Sequence, residues 1–208
     1  MPAPIRPRAV VFDLGKVLLD FDYSIAARRI AERCSTPSDE INRFIAQSPL
    51  LFRYETGLLT KAEFFREICS KTGFNDGLEC FSGFFADIFF PSPAMLDLHQ
   101  RIRESGFPTY IFSNTNDLAI EHIRRNFPFF ANFDGYILSY EHGSMKPDAR
   151  LYEVVERETS QRGPAILYLD DRPENIEAGA ARGWQTILQE SAEKTLATIK
   201  KLDLLVET

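Results

Sequence analysis

Cysteine is scarce in this 208-residue chain, and the three present, Cys34, Cys69 and Cys80, fit neither an even disulfide framework nor a metal-ligand spacing. They are expected as small buried apolar groups in a reduced, cytoplasmic setting. Clustered basic charge is also missing. Lysine and arginine total 24 against 30 acidic residues, for a formal net charge of −6, so nucleic acid is not an expected partner. The same balance sits poorly with an anionic substrate, so any anion site has to be local: a metal ion, a lysine or backbone N–H groups. No apolar run is long enough to span a bilayer, and the proline-rich residues 1–8 lack the apolar stretch of a signal peptide. Internal repeats and low-complexity tracts are absent as well.

What is present reads as an ordinary soluble globular enzyme, 44% hydrophobic and 26% charged. The length allows one good-sized core with a smaller insertion. Five short β-branched and aromatic runs, at 9–12, 109–112, 136–139, 166–169 and 185–188, read as buried strands. Helical patterns separate them, which predicts an α/β fold with a doubly wound parallel sheet. Ser92-Pro93 opens one helix, which Gly106 and Pro108 close; Lys146-Pro147 opens another; Pro173 opens a third, ended by Gly183.

The first two strands are about ninety residues apart, far more than a crossover needs. Helices are expected there at 22–34, 37–47, 61–72 and 78–90, with start signals at Thr36-Pro37 and a capping box at Thr60 and Glu63. No strand pattern stands out between them. Residues 21–91 therefore read as an inserted helical bundle, with 1–20 and 92–208 forming the core. Phe64, Phe65, Ile68, Phe81, Phe84, Phe85 and Ile88 follow helical spacing and are expected to fill the bundle.

Four sites fall at strand ends or helix starts: Asp13, Ser113-Asn114, Lys146 and Asp170-Asp171. In a parallel sheet those ends share one edge, where open α/β folds bind ligands. Each has a plainer use taken singly: a turn or cap for Asp13, caps for Ser113, Asn114 and the aspartate pair, and a solvated lysine. Together they suit one chemistry. Carboxylates meeting at one edge repel unless a hard cation such as Mg²⁺ neutralises them. A metal, a lysine and a serine hydroxyl around one carboxylate make a phosphate pocket, to which backbone N–H groups near Leu14 and Gly15 add donors. Asp13 is then placed to attack phosphorus and form an aspartyl phosphate.

The segments Val11-Phe12-Asp13-Leu14-Gly15, Ile111-Phe112-Ser113-Asn114-Thr115-Asn116, Gly143-Ser144-Met145-Lys146-Pro147-Asp148 and Tyr168-Leu169-Asp170-Asp171-Arg172-Pro173-Glu174-Asn175 resemble, in order, the motifs of the haloacid-dehalogenase-like (HAD) superfamily. The helical insertion stands where one cap class of that superfamily stands, and Arg53-Tyr54-Glu55-Thr56-Gly57 resembles a segment of that cap. The nearest subgroup is the sugar-phosphate phosphatases similar to bacterial α-glucose-1-phosphate phosphatase, which share Phe-Asp-Leu-Gly. The resemblance implies Asp13 as nucleophile and Mg²⁺ ligand, with the Gly15 carbonyl as a further ligand. It implies Asp171 as the direct ligand of the later pair, with Asp170 ligating or orienting Lys146. Ser113 and Lys146 would bind phosphate, Asn114 would support that loop, and Asn175 would stand behind it. Tyr54 and Glu55 become candidates for facing the site, with Tyr54 also readable as core. The implied cofactor is Mg²⁺, and the implied partner is a small phosphorylated metabolite.

Two positions depart from the superfamily pattern. Most of its phosphatases carry a second aspartate two residues after the nucleophile, to protonate the leaving alcohol and activate water. Gly15 stands there and can do neither, a lack that ordinarily costs about 10²–10⁴-fold in rate. An anomeric sugar phosphate, a better leaving group than an alkyl phosphate, would ease it. Lys16 is the second departure, readable as a phosphate contact or a solvated side chain. His142 is a possible substitute acid, though a surface histidine is the plainer reading. Two other functions remain open: a 2-haloacid dehalogenase using the same aspartate without metal, and a phosphate-binding regulatory module with weak chemistry. A chelator separates the enzymes. Phosphatase activity should vanish on metal removal and return with Mg²⁺, whereas activity indifferent to chelation points to dehalogenation.

Overall fold

Strand pairing explains how distant residues come to one edge. The computed structural model describes residues 5–46 and 48–205. The outermost residues of the expected core, 1–4 and 206–208, and Gln47, the expected end of the second inserted helix, lie outside these. In chain order the elements are β1 (Ala9–Phe12), β2 (Leu19–Phe21), α1 (Tyr23–Ala31), α2 (Ser38–Ala46), α3 (Pro49–Glu55), α4 (Lys61–Thr72), α5 (Leu78–Ala86) and β3 (Phe89–Pro91). There follow α6 (Pro93–Glu104), β4 (Thr109–Ser113), α7 (Asp117–Asn126), β5 (Gly135–Leu138), α8 (Ser139–His142), α9 (Ala149–Thr159), β6 (Ile166–Asp170), α10 (Pro173–Ala181), β7 (Gln185–Leu188) and α11 (Ala192–Lys201). None of the described helices is long and apolar enough to cross a membrane.

The five expected strands form one parallel sheet, ordered β5-β4-β1-β6-β7. The chain builds outward from β1 through β4 to β5, then returns to the other side of β1 for β6 and β7. Alternation along each strand divides the interior in two. Val10, Phe12, Ile111, Leu167 and Leu169 pack with Leu98 and Ile102 of α6, Ile123 of α7 and Ile199 of α11. Val11, Phe112, Ile166 and Tyr168 point the other way, onto Leu151, Tyr152 and Val155 of α9 and Trp184. Helices thus cover both faces, as a parallel sheet requires.

The inserted segment differs from expectation in four ways. Its ends are joined by an antiparallel ribbon, with Leu19 opposite Pro91 and Phe21 opposite Phe89, so strand structure is present where none was expected. The last helix accordingly stops at Ala86 rather than continuing to 90. A further helix, α3, is capped by the Ser48 hydroxyl, which accepts from Leu50 N at 3.2 Å, and starts at Pro49. The three cysteines are free but half-buried rather than buried. Within the core, Lys146-Pro147 precedes its helix, which begins at Ala149 behind an Asp148 cap.

Phe64, Ile68, Phe81 and Phe85 are buried at the centre of the inserted helices, with Phe65 and Phe84 packed at the margin. Ile88 is buried but stands apart from that cluster. Tyr54 stacks on Phe64 with ring centres 4.3 Å apart, and Leu118 of α7 joins the same cluster. Phe81 is fully buried against the rings of Phe64, Phe65, Phe74 and Phe85. Truncating it should cost about 3–5 kcal/mol. Urea unfolding of Phe81→Ala checks this, and a loss below about 1 kcal/mol would contradict the packing described.

Candidate active site

The register of the central strands decides what meets at the carboxyl edge. Phe12 pairs with Ile111 on one side and Leu169 on the other, so Asp13 is level with Phe112 and Asp170. Its N–H donates to the Leu169 carbonyl at 2.8 Å, which continues the sheet one residue further. Lys146 enters this edge from the loop between α8 and α9 and is almost wholly buried. Its ammonium donates to Asp170 Oδ2 at 2.6 Å and the Phe112 carbonyl at 2.8 Å, and lies 3.0 Å from Asp13 Oδ1. Burial opposes that charge, yet Asp13 and Asp170 together hold the lysine above its ordinary pKa.

Asn114 fixes the lysine's backbone from both ends of its amide. Nδ2 donates to the Lys146 carbonyl at 3.0 Å, and Oδ1 accepts from Lys146 N at 2.8 Å. Ser113 is the last residue of β4 and is buried; among the described residues its hydroxyl makes only a long contact, 3.4 Å, to the Asn114 carbonyl. That hydroxyl is weakly held and free to turn to a stronger acceptor. The Leu14 N–H donates to Asp13 Oδ1 at 2.7 Å, so it orients the carboxylate in this state. Oδ1 is thereby fixed by two groups, while Oδ2 carries no hydrogen bond among the described residues. Burial raises the Asp13 pKa, with Lys146 pulling it down and Asp170 pushing it up.

The later aspartate pair separates clearly. Asp170 Oδ1 accepts from Arg172 N at 2.8 Å and Asn175 Nδ2 at 3.0 Å. Oδ2 accepts from Lys146 and from the Tyr168 hydroxyl. Asp170 is fully buried; that burial alone would raise its pKa, but Lys146 and the other donors bring it below the ordinary value. Asp171 is half-buried and takes no donor from a neighbouring side chain among the described residues, and burial with nearby Asp170 raises its pKa. Carboxylate oxygens of Asp13, Asp170 and Asp171 all lie within 4.8 Å of one another. An all-oxygen set at that spacing fits a hard divalent cation. With Asp170 occupied by four donors, Asp13 and Asp171 are the carboxylates able to hold one, and Gly15 lines the same space.

That space is a cavity of about 400 Å³, walled by Asp13, Gly15, Lys146 and Asp171 from the sheet edge and by Leu51 and Glu55 from the inserted helices. A larger cavity of about 660 Å³ lies between α5 and α7, away from the strand ends. Lys16 stands at the rim with φ +58°, its ammonium paired with Asp20 and donating to the Phe21 carbonyl at 3.0 Å. His142 is exposed and lines neither this cavity nor the smaller one beside it. Tyr54 is buried, and its hydroxyl donates to Asp117 of α7. Glu55 faces the site: its carboxylate accepts from the Tyr23 hydroxyl at 3.5 Å, and its carbonyl from Ser139 Oγ at 2.6 Å. Burial pushes its carboxyl up to about 7, with the Tyr23 bond, the Arg172 charge and an Asn116 bond pulling the other way.

Sequence reasoning passed over Tyr168, Phe21, Tyr23 and Ser139. Tyr168 carried a signal, since a strand's period of two puts it on the same side as Asp170. Tyr23 and Ser139 had none, because their partner Glu55 is remote in sequence, and no local pattern sets the Phe21 ring against Gly15.

The family model of the haloacid dehalogenase-like hydrolases matches residues 7–183. A D-ribitol-5-phosphate phosphatase of Bacteroides thetaiotaomicron is 24% identical over 192 residues, covering 88% of this chain and 91% of its own. A sesquiterpene phosphatase of Aspergillus oryzae is 23% identical over 178 residues, covering 85% and 86%. Among solved structures, a HAD-family enzyme of B. thetaiotaomicron in complex with magnesium and inorganic phosphate superposes with a TM-score of 0.77 at 23% identity, over 87% of this chain and 93% of that one.

The raised Glu55 value has a consequence for stability. Between its ordinary 4.5 and about 7 the folded chain holds a proton that the unfolded chain has released. This carboxyl's contribution is therefore full below its unfolded value and is lost as pH rises through about 7. Glu55→Gln escapes that loss. Relative to the wild type without metal, it should gain about 1–3 kcal/mol between about pH 4 and pH 8. Urea midpoints across that range check it, and a difference independent of pH would contradict the assignment.

Proposed function

The chain belongs to the haloacid dehalogenase-like hydrolase family, and from that premise we propose that it hydrolyses a small phosphate monoester, a sugar phosphate, with Mg²⁺ and through an aspartyl-phosphate intermediate. The observation that carries this reading is Asp13, held by one oxygen between Leu14 N and Lys146 and, among the described residues, with its other oxygen free beside the unclaimed carboxylate of Asp171. Two relatives that are phosphatases, one acting on a sugar-alcohol phosphate, support it.

Asp13, Asp171 and the Gly15 carbonyl would hold the cation. When bound, Mg²⁺ offsets the charge of the phosphoryl oxygens and of the carboxylates around them. Lys146 offers its ammonium and Ser113 its hydroxyl to the phosphoryl oxygens, while Asp170, Asn175 and Asn114 keep Lys146 in place. The free oxygen of Asp13 attacks phosphorus in line with the leaving oxygen. Water then releases phosphate from Asp13.

The core comprises residues 1–20 and 92–208, and the insertion, 21–91, serves as the cap. It supplies Leu51 and Glu55 to the cavity wall, so it excludes water and selects the alcohol. A cytoplasmic setting suits three free thiols. Replacing Asp13 with asparagine should lower phosphate release by about 10⁴-fold or more. A screen of sugar, nucleotide and amino-acid phosphates with Mg²⁺ is the assay, and an Asp13→Asn enzyme of undiminished activity would refute the mechanism.

A further inference from the structure

Resting on the phosphatase reading, we propose that Glu55 is the general acid and base of the reaction, brought in from the cap to do the work that Gly15 cannot do. The place an aspartate at position 15 would take is filled. A Cβ built on Gly15 would lie 2.8 Å from Phe21 Cε1. That ring cannot swing away easily. It meets Tyr23 edge-on at 5.6 Å, packs by Phe89 at 6.1 Å, and carries the Lys16 ammonium 4.7 Å from its centre. Glycine and phenylalanine here are complementary, and the acid has to come from elsewhere.

Glu55 arrives from the opposite wall. It lines the cavity with Asp13, Gly15 and Lys146, and also the small adjoining space of about 50 Å³ lined by Ser113 and Asn114. Its position is fixed from several sides. Ser139 Oγ, which donates to the Glu55 carbonyl, also accepts from Thr115 N at 2.9 Å, so the end of α3 is tied to the loop after β4. Next to it, Tyr54 donates to Asp117, and Gly57, at φ +72°, lies so close to the core that a Cβ would stand 2.2 Å from the Tyr140 carbonyl. A general acid needs this kind of fixed approach to the leaving oxygen.

The other ionisable groups of the cavity are engaged. Asp13 is the nucleophile, Asp171 would hold the cation and Lys146 the phosphoryl group, Lys16 is tied to Asp20, and Arg172 to Glu174. Burial lifts the Tyr23 hydroxyl well above its ordinary value, so it stays a donor to Glu55. Glu55 itself, pushed up to about 7, can hold a proton at neutral pH and release it.

In the first step the Asp13 oxygen bonds to phosphorus, the ester P–O bond breaks, and the Glu55 proton passes to the departing oxygen to give the alcohol. In the second, the Glu55 carboxylate takes a proton from water as the water oxygen bonds to phosphorus. The Asp13–P bond then breaks, leaving inorganic phosphate, a free Asp13 carboxylate and a protonated Glu55.

The test is the dependence of kcat/KM on the leaving group, since an alkoxide needs a proton and p-nitrophenolate hardly does. With Mg²⁺, Glu55→Gln should lose about 10²–10⁴-fold on a sugar or alkyl phosphate. Its loss on p-nitrophenyl phosphate should be at least about tenfold smaller. Glu55→Asp, a carboxyl on a shorter arm, should recover part of the loss on the alkyl ester, and this comparison stands if the glutamine variant folds poorly. Equal losses on both esters, or none on the alkyl ester, overturn the role of Glu55 while the phosphatase reading stands. A wild type that hydrolyses no phosphate ester overturns both.

Discussion

The ammonium of Lys146 holds the strand edge together. Asp13 directly follows β1, Asp170 ends the neighbouring β6, and both are buried. Two buried carboxylates at that spacing repel, and each loses hydration. One buried cation donating to Asp170 and the Phe112 carbonyl, and 3.0 Å from Asp13, answers both at once. Removing one member of such a buried network typically costs about 3–5 kcal/mol, because the remaining charges stay unpaired. The supporting bonds follow from this need. Asn114 clamps the lysine's backbone, and Tyr168, Asn175 and Arg172 N complete the shell of Asp170. With Asp170 so occupied, the free oxygen of Asp13 and the carboxylate of Asp171 are left for ligands, which is the asymmetry the proposed chemistry uses.

A second constraint joins the inserted helices to this edge. The ribbon of β2 and β3 brings Phe21 against Gly15 with Phe89 packed by it, and the segment from Tyr54 to Gly57 docks on Asp117, Ser139 and Tyr140. The first contact belongs to the cavity wall, and the second anchors Glu55, which also lines it. The same packing that closes position 15 to a side chain presents Tyr23 to Glu55. In the proposed mechanism, the missing aspartate and the cavity-lining glutamate are two results of one arrangement.

Much of the core was legible because its signals are local. Each strand of the sheet is a short apolar run between turn residues, and Asp13 and Asp170 mark where two of them end. The ribbon was not legible. Its strands have three residues each, and Phe89-Phe90-Pro91 continues a phenylalanine-rich helical pattern without a break. Helix α3 was hidden in a similar way, since seven residues are under two full turns of apolar period. Lys146 shows the limit for the site. Before a proline in a polar stretch it has every local mark of a solvated side chain, and only the convergence of three strand ends buries it. Which of Asp170 and Asp171 stays available depends on facing: the first shares the side of Tyr168 and is enclosed, the second lies past the strand. Glu55 had only a segment resemblance behind it, because its partners come from α1, the loop after β4 and the start of α8.

The claim on which the account depends is that Asp13 accepts the phosphoryl group. It is tested most directly by quenching the enzyme in acid during turnover of a phosphate ester with Mg²⁺, then locating any added phosphoryl group by peptide mass spectrometry. The account predicts one phosphoryl group on the peptide carrying Asp13, absent from Asp13→Asn and lost on treatment with hydroxylamine. Turnover with phosphate on another residue would contradict it.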